Sequence, residues 1–210
     1  MEEQGIKEKI LNGAIELFMK YGVRSISMDD IARHLTVSKK TLYQHFADKE
    51  DLVTTASEAH IEISKKQYEL LTENAANAID ELAQISVCLR KDMTNMNPSM
   101  LFDLQKYHPR AWSVWLNHKN VYIRESVIRN IAQGIEEGYY RPDVNAEIIA
   151  VLRIEEISLA FDERIFPHSK FSLAEVQIQL FDHFVYGLCT EKGKALYKKY
   201  KEENQTVIQK

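Results

Sequence analysis

The segment from Thr36 to Leu52 reads TVSKKTLYQHFADKEDL and carries the strongest helix signals of the chain. Ser38 can accept a hydrogen bond as the N-cap of a short helix, and Asp48 can do the same for the longer segment that follows. Leu42 and Phe46 are four residues apart, so they share one face of the short helix. The stretch therefore predicts a helix of about two turns with one buried face, followed by the start of a long helix.

Two further helices are predicted before this stretch. Apolar residues recur at helical spacing from Ile6 to Tyr21, and Gly22 stands where a left-handed residue would end the helix. Ser27 can cap a second helix that carries Asp29 and Asp30 in its first turn, where the helix dipole favours acids. Three short helices, the last two joined by a tight turn, indicate a helix-turn-helix domain whose last helix enters a major groove.

The rest of the 210-residue chain also predicts helices. It contains 7 Gly and 4 Pro and shows no sustained apolar/polar alternation of the kind that indicates strands. The fold class is therefore all-α, with a helix-turn-helix domain at 1–47 and a larger helical domain at 48–210. After the long fourth helix, further helices are expected near 76–96, 99–107, 110–137, 145–162, 172–190 and 194–203.

Composition and motifs exclude several function classes. The formal net charge is −4, so nucleic-acid binding would need a local basic patch. The 2 Cys are not paired in a motif, and no apolar stretch has the length of a membrane span, which predicts a cytoplasmic protein. There is no metalloprotease, hydrolase or phosphate-loop motif, and the 7 His are scattered, so we expect no enzyme activity, cofactor or metal.

A local basic patch is present in residues 20–49. These residues carry six Lys or Arg against three Asp, and six minus three leaves +3. On the third helix, Lys39, Lys40, Tyr43 and Gln44 lie off the buried face, where cations can neutralise phosphates and an amide can pair with adenine. The alternative is that the lysines form an ordinary solvated surface and Tyr43 is partly packed.

The same residues resemble the TetR family of bacterial transcriptional regulators. The run from Thr36 to Leu52 is similar to its signature, residues 26–32 (ISMDDIA) to the entry of its second helix, and residues 14–18 (AIELF) with Tyr21 and Gly22 to its first. The resemblance implies phosphate contacts for Ser27 or Met28, Thr41, Tyr43 and Lys49. It implies base contacts for Lys39, Lys40 and Gln44, and it places His45 at the edge of the protein–DNA contact. The implied DNA-binding set is Ser27, Met28, Ser38, Lys39, Lys40, Thr41, Tyr43, Gln44, His45 and Lys49.

One residue departs from the family pattern. Thr36 stands in the turn where the family often has glycine. A β-branched residue tolerates a left-handed backbone poorly, so we expect a more open turn and an altered pitch of the third helix.

The helices at 145–162 and 172–190 are apolar enough to form a subunit interface. The resemblance implies a homodimer formed by the last two long helices, which would present two reading helices about 34–36 Å apart. The alternative is that both helices belong to the core of one chain. The predicted interface residues are Val176, Leu180, Phe181, Phe184, Val185 and Leu188.

A ligand pocket is expected in the larger domain, lined by flexible and aromatic side chains with a few polar anchors. Such side chains at helical spacing are more often core, and Arg153 with Glu156 could equally form a local ion pair. The candidate ligand-binding residues are Met93, Met96, Met100, Phe102, Tyr107, Trp112, Trp115, Tyr122, Arg153 and Glu156.

The sequence therefore predicts a TetR-like regulator, a repressor that binds a palindromic operator as a dimer. A small-molecule inducer in the larger domain would release the DNA. Two alternatives remain at this point: a ligand-independent architectural DNA-binding factor, and a helical protein-interaction module.

Overall fold

The computed structural model describes the backbone of residues 2–208 and the side chains of residues 5–204. Within that range every regular element is a helix, and the one β-type pairing is an isolated bridge between Tyr140 and Cys189. The predicted all-α class is confirmed. The helices are α1 (Glu2–Tyr21), α2 (Met28–His34), α3 (Lys39–His45), α4 (Lys49–Asn74), α5 (Ala78–Asn95), α6 (Met100–Tyr107), α7 (Pro109–Asn117), α8 (Arg124–Glu136), α9 (Ala146–Leu159), α10 (Leu173–Leu188) and α11 (Glu191–Ile208).

Two elements differ from the sequence prediction. The helix expected at 110–137 is interrupted by a π-helical segment, His118–Ile123, which separates α7 from α8. A π turn accommodates an extra residue without breaking the helix, so the apolar spacing carries no clear mark of it. The last helix, α11, begins earlier and ends later than the predicted 194–203.

Packing divides the described residues into two compact units. Unit 1 comprises residues 2–65 and 95–118, and unit 2 comprises residues 66–94 and 119–208. Unit 1 therefore contains the three N-terminal helices, the first part of α4, and α6 with α7. The predicted functional boundary between residues 47 and 48 concerns the reading domain alone and stays a prediction.

The core of unit 1 is built by the apolar stripes that periodicity predicts. Phe18 of α1, Ile31 of α2, and Leu42 and Phe46 around α3 are all buried. Each such side chain contributes about 1.5–3 kcal/mol when it leaves water. Gly22 ends α1 with a φ of +80°, as predicted from its position.

The core of unit 2 surrounds Tyr140, which is almost fully buried. Its hydroxyl donates to the Asn130 Oδ1 at 2.9 Å and reaches the Ala78 carbonyl at 3.2 Å. Gly134 leaves room for the Tyr140 ring, since a Cβ at this glycine would lie 2.1 Å from the ring. Helices α5, α8, α10 and α11 converge on this tyrosine. None of the described helices combines the length and the apolar character needed to cross a membrane.

Candidate nucleic-acid interface

The N-terminus of α2 is closed by a reciprocal capping box. The Ser27 Oγ accepts from the Asp30 N–H at 3.2 Å, and the Asp30 carboxylate accepts from the Ser27 N–H at 3.0 Å. The hydrogen bonds from Ser27 lower the pKa of Asp30 below its usual value. Ser27 is exposed whereas the Met28 side chain is buried, so only the backbone of Met28 could meet a phosphate.

The turn between α2 and α3 is tight, and the expectation that Thr36 would open it was wrong. Thr36 adopts a φ of +54°. The hydrogen bonds from the Leu35 N–H to the Ile31 carbonyl and from the Val37 N–H to the Ala32 carbonyl are both kept, at 3.0 Å. The packing of the two helices therefore imposes a left-handed backbone on a β-branched residue, at a cost of about 1–2 kcal/mol.

Helix α3 has one buried and one exposed face. Its N-cap is Ser38, whose Oγ accepts from the Thr41 N–H at 3.0 Å, and Leu42 is fully buried. On the other faces Lys40 and Gln44 are exposed and Tyr43 is 51% exposed. The structure thus brings the central members of the predicted DNA-binding set onto one open surface, with Thr41 and His45 half-buried beside them.

Two lysines of the predicted set have partners within the chain. The Lys39 ammonium lies 2.5 Å from the Asp29 carboxylate in an exposed ion pair. The Lys49 ammonium donates to the Val23 carbonyl at 2.7 Å, and burial lowers its pKa. Lys39 can exchange its partner for a phosphate at little cost because exposed pairs are weak. Lys49 joins the start of α4 to the loop after α1.

Two acidic residues that connect helices and loops of unit 1 near this surface were not predicted from the sequence. The Asp103 carboxylate of α6 is buried and accepts from the Arg24 N–H at 3.0 Å. The Glu50 carboxylate of α4 lies 2.5 Å from the His108 Nδ1 and also accepts from the Arg110 N–H at the start of α7. No local signal could have found them, because each contact joins residues far apart in sequence.

The predicted interface residues are not on a free surface. Five of them are buried within their own chain, where they contribute to the core of unit 2, and the sixth, Leu180, is half-buried. The apolar stripe of α10 is covered by helices of the same chain, and the assignment of these side chains as partner contacts stays a prediction. The five buried residues are Val176, Phe181, Phe184, Val185 and Leu188.

The neighbouring helix α9 carries an exposed apolar stripe instead. Ile148 is 65% exposed, and Val151, Leu152 and Leu159 follow on the same side of the helix. The exposed face of α10 adds His183 and Tyr186. Contiguous exposed apolar side chains of this kind mark an interaction surface.

The candidate ligand residues divide between the two units. Met96, Met100, Trp112 and Trp115 are half-buried in unit 1, and Met93 and Tyr122 are half-buried in unit 2. Phe102 and Tyr107 lie exposed on unit 1, which is not the position of pocket-wall side chains.

The polar anchors Arg153 and Glu156 lie in unit 2. The Arg153 side chain is 5% exposed, its Nη1 lies 3.5 Å from the Glu156 Oε2, and Phe181 and Phe184 flank the guanidinium. Burial lowers the pKa of Arg153, and Glu156 opposes that shift. Within the described residues neither the Nη1 nor the Oε2 has a hydrogen-bond partner. Arg153 and Glu156 thus form the local ion pair that their spacing of three residues allows.

The capped α2, the tight turn and the polar outer face of α3 define a helix-turn-helix DNA-binding protein. Residues 10–56 match the family model described as "Bacterial regulatory proteins, tetR family". The N-terminal part of the chain is therefore similar to the TetR family of bacterial transcriptional regulators.

Three similar proteins are transcriptional regulators by name. The chain is 23% identical to the uncharacterized HTH-type transcriptional regulator YvaF of Bacillus subtilis over 188 residues, 88% of this chain and 96% of YvaF. The ketosteroid transcriptional regulator KstR2 of Mycobacterium tuberculosis has a similar structure, with a TM-score of 0.60, 21% identity and coverage of 88% and 95%. A transcriptional regulator from Saccharomonospora viridis, solved in complex with choline, gives a TM-score of 0.73 at 17% identity, covering 90% of this chain and 100% of that one. At these identities the structural likeness shows the shared fold.

Proposed function

We propose that the protein is a homodimeric repressor that reads a palindromic operator through α3 and releases it when a small molecule binds unit 2. The observation that carries the proposal is the division of α3 into a buried Leu42 face and an exposed face with Lys40, Tyr43 and Gln44. An exposed amide and ammonium on one face of a helix fit base edges, and a phenol hydroxyl fits a phosphate oxygen. The protein acts as a cytoplasmic regulator and not as an enzyme.

The exposed stripe of α9 supports the dimer. Ile148, Val151, Leu152 and Leu159 would be covered by the same residues of a second copy in a two-fold arrangement, together with the outer face of α10. Such a dimer presents two copies of α3 to half-sites one turn of DNA apart, about 34–36 Å. Five of the six predicted interface residues of α10 are buried in the same unit, and Leu180 is half-buried.

The Arg153 and Glu156 pair supports a ligand in unit 2. A buried donor and a buried acceptor without hydrogen bonds are costly, and a ligand group that both accepts and donates would satisfy them together. Tyr68 and Tyr122 lie in the same unit, and the Tyr68 hydroxyl interacts electrostatically with Arg153. The choline complex of the Saccharomonospora regulator and the ketosteroid named for KstR2 give the first two ligands to test.

DNA reading is tested by selecting duplexes from a random pool with the purified protein and measuring affinity by fluorescence anisotropy. Lys40→Ala and Tyr43→Phe should each weaken binding by about 1–3 kcal/mol, whereas Lys198→Ala, an exposed lysine of unit 2, should not. Failure to enrich any duplex, or equal binding by all variants, would contradict the proposal.

The dimer is tested by sedimentation at several protein concentrations. Leu152→Asp should give a monomer that binds the selected duplex weakly, because burying an unpaired charge in the interface is unfavourable. Ile63→Asp places the same charge on an equally exposed apolar position of α4 and should leave the dimer intact. A monomeric wild-type protein that still binds the full operator would contradict the dimer.

Ligand release is tested by thermal unfolding and anisotropy with choline and with a ketosteroid. A ligand should raise the midpoint of unfolding and lower affinity for DNA, and Arg153→Met should remove both effects. A protein that binds DNA and responds to neither these nor a wider set of small molecules would be the ligand-independent factor.

A further inference from the structure

A cluster of exposed cations and aromatic rings lies on unit 1, outside the helix-turn-helix. It consists of Lys20, Tyr21, Arg24, Phe102, Lys106 and Tyr107, and all six are exposed. We call this the basic-aromatic patch. Phe102 and Tyr107 are also among the candidate ligand-binding residues, and they are 53% and 39% exposed.

Each cation of the patch lies over an aromatic ring. The Arg24 guanidinium is 5.3 Å from the Tyr107 ring centroid, and the Lys106 ammonium is 5.3 Å from the same centroid. Lys106 is also 5.3 Å from the Phe102 centroid, and Lys20 is 5.3 Å from that of Tyr21. Contacts of this kind hold a cation in place without neutralising its charge.

The cations of the patch are not held in ion pairs among the described residues. Among residues 5–204, Lys20, Arg24 and Lys106 form no ion pair with a carboxylate. The nearby acid, Asp103, is buried and accepts from the Arg24 backbone N–H and from Ser99. Three fixed, unpaired cations in a chain of net charge −4 fit an anionic partner.

The patch is continuous with the proposed DNA-reading surface. Arg24 precedes Ser27, the N-cap of α2, by three residues, so their Cα atoms are at most about 11 Å apart. The Lys49 ammonium at the start of α4 donates to the carbonyl of Val23, the residue before Arg24. A duplex bound at the N-termini of α2 and α4 therefore passes close to Arg24.

We propose that the basic-aromatic patch binds the phosphate backbone of the duplex that flanks the operator. The inference rests on the proposed DNA-binding function and extends the footprint beyond the base pairs that α3 reads. The contact is electrostatic, so it adds affinity and salt dependence without adding sequence preference.

The test compares two duplexes: a selected core of about 20 base pairs and the same core with about 10 base pairs of arbitrary sequence at each end. Wild-type dimer should bind the longer duplex roughly tenfold more tightly at low salt. If each protomer contacts two flanking phosphates, the slope of log affinity against log salt should steepen by about three to four.

The triple variant Lys20→Ala/Arg24→Ala/Lys106→Ala should bind the core like wild type and lose the gain from the flanks. Its matched control, Arg90→Ala/Lys170→Ala/Lys198→Ala, removes one exposed Arg and two exposed Lys elsewhere and should keep that gain. A second variant with Gln at the three patch positions keeps most of each side-chain stem and should behave as the Ala variant. Circular dichroism verifies that each variant is folded.

Each outcome decides a different proposal. Equal affinity of wild type for the two duplexes, or a triple variant that keeps the gain, overturns the patch proposal and leaves operator reading by α3 standing. If only the patch variants lose binding to a polyglutamate peptide while the flank gain persists, the partner is an acidic protein and the DNA proposal is overturned. A wild-type protein that selects no duplex overturns the proposed function itself.

Discussion

The Glu50 carboxylate of α4 lies 2.5 Å from the Nδ1 of His108, the residue that joins α6 to α7. The Glu50 and His108 side chains are 27% and 9% exposed, and the second carboxylate oxygen accepts from the Arg110 N–H. One side chain thus caps α7 and holds it against the first turn of α4. This turn begins at Lys49, which contacts the loop after α1.

A double-mutant cycle of Glu50→Ala and His108→Ala should show that the two residues are coupled. We expect a coupling free energy of about 1–3 kcal/mol in urea unfolding, because removing either partner leaves a poorly solvated polar group. The same cycle on the exposed pair Glu191 and Lys194 serves as the control and should give less than about 0.5 kcal/mol. Equal coupling in the two cycles would contradict this role of Glu50.

Replacement of Thr36 by glycine should stabilise the protein. The φ of +54° is unfavourable for a β-branched residue and accessible to glycine. Thr36→Gly should raise the free energy of unfolding by about 0.5–1 kcal/mol, after allowing for the greater entropy of glycine in the unfolded chain. The free energy of unfolding of Thr36→Asn should lie between those of wild type and Thr36→Gly. A Gly variant less stable than wild type would show that the turn is not strained.

The two glycines Gly134 and Gly187 should respond in opposite ways to alanine. A Cβ at Gly134 would lie 2.1 Å from the buried Tyr140 ring, whereas one at Gly187 meets nothing within 4 Å. Gly134→Ala should cost about 2–3 kcal/mol by forcing the ring to move. Gly187→Ala, in the last turn of α10, should gain up to about 1 kcal/mol from helix propensity. Thermal or urea unfolding separates these outcomes, and equal effects would contradict the packing described for Tyr140.

His118 should make stability depend on pH. Burial, with smaller contributions from Lys65 and His60, lowers the pKa of this imidazole from 6.5 to about 4. Between these values the unfolded chain binds the proton and the folded chain does not, so the free energy of unfolding falls as the pH falls through this window. His118→Asn should flatten the pH dependence of the free energy of unfolding, and His34→Asn, at an exposed histidine of α2, should not. An NMR titration giving His118 a pKa near 6.5 would contradict this account.

Local features of unit 1 could be predicted from the sequence. The caps Ser27 and Ser38 and the stop at Gly22 depend on residues within one turn, and the structure has all three. Thr36 shows the limit of such reasoning, because tertiary packing overrides a backbone preference of one to two kcal/mol.

The surfaces of unit 2 could not be predicted in the same way. An apolar stripe on α10 indicates burial but not which chain covers it, and Phe181 and Val185 are covered by their own. In unit 1, too, long-range contacts escape such reasoning: the hydrogen bond from Arg24 to Asp103 joins residues 79 apart, a separation that no local pattern encodes.

Insertion of α3 into the major groove is tested by the affinity of wild type and Gln44→Ala for the selected duplex with each base pair substituted in turn. If Gln44 on α3 reads a base edge, the variant should lose discrimination of about 1–3 kcal/mol at one position in each half-site, symmetrically placed. Lys40→Ala should lower discrimination at a different base pair, or lower the affinity for all duplexes by the same factor. Unchanged discrimination at every position would contradict the insertion of α3 into the major groove.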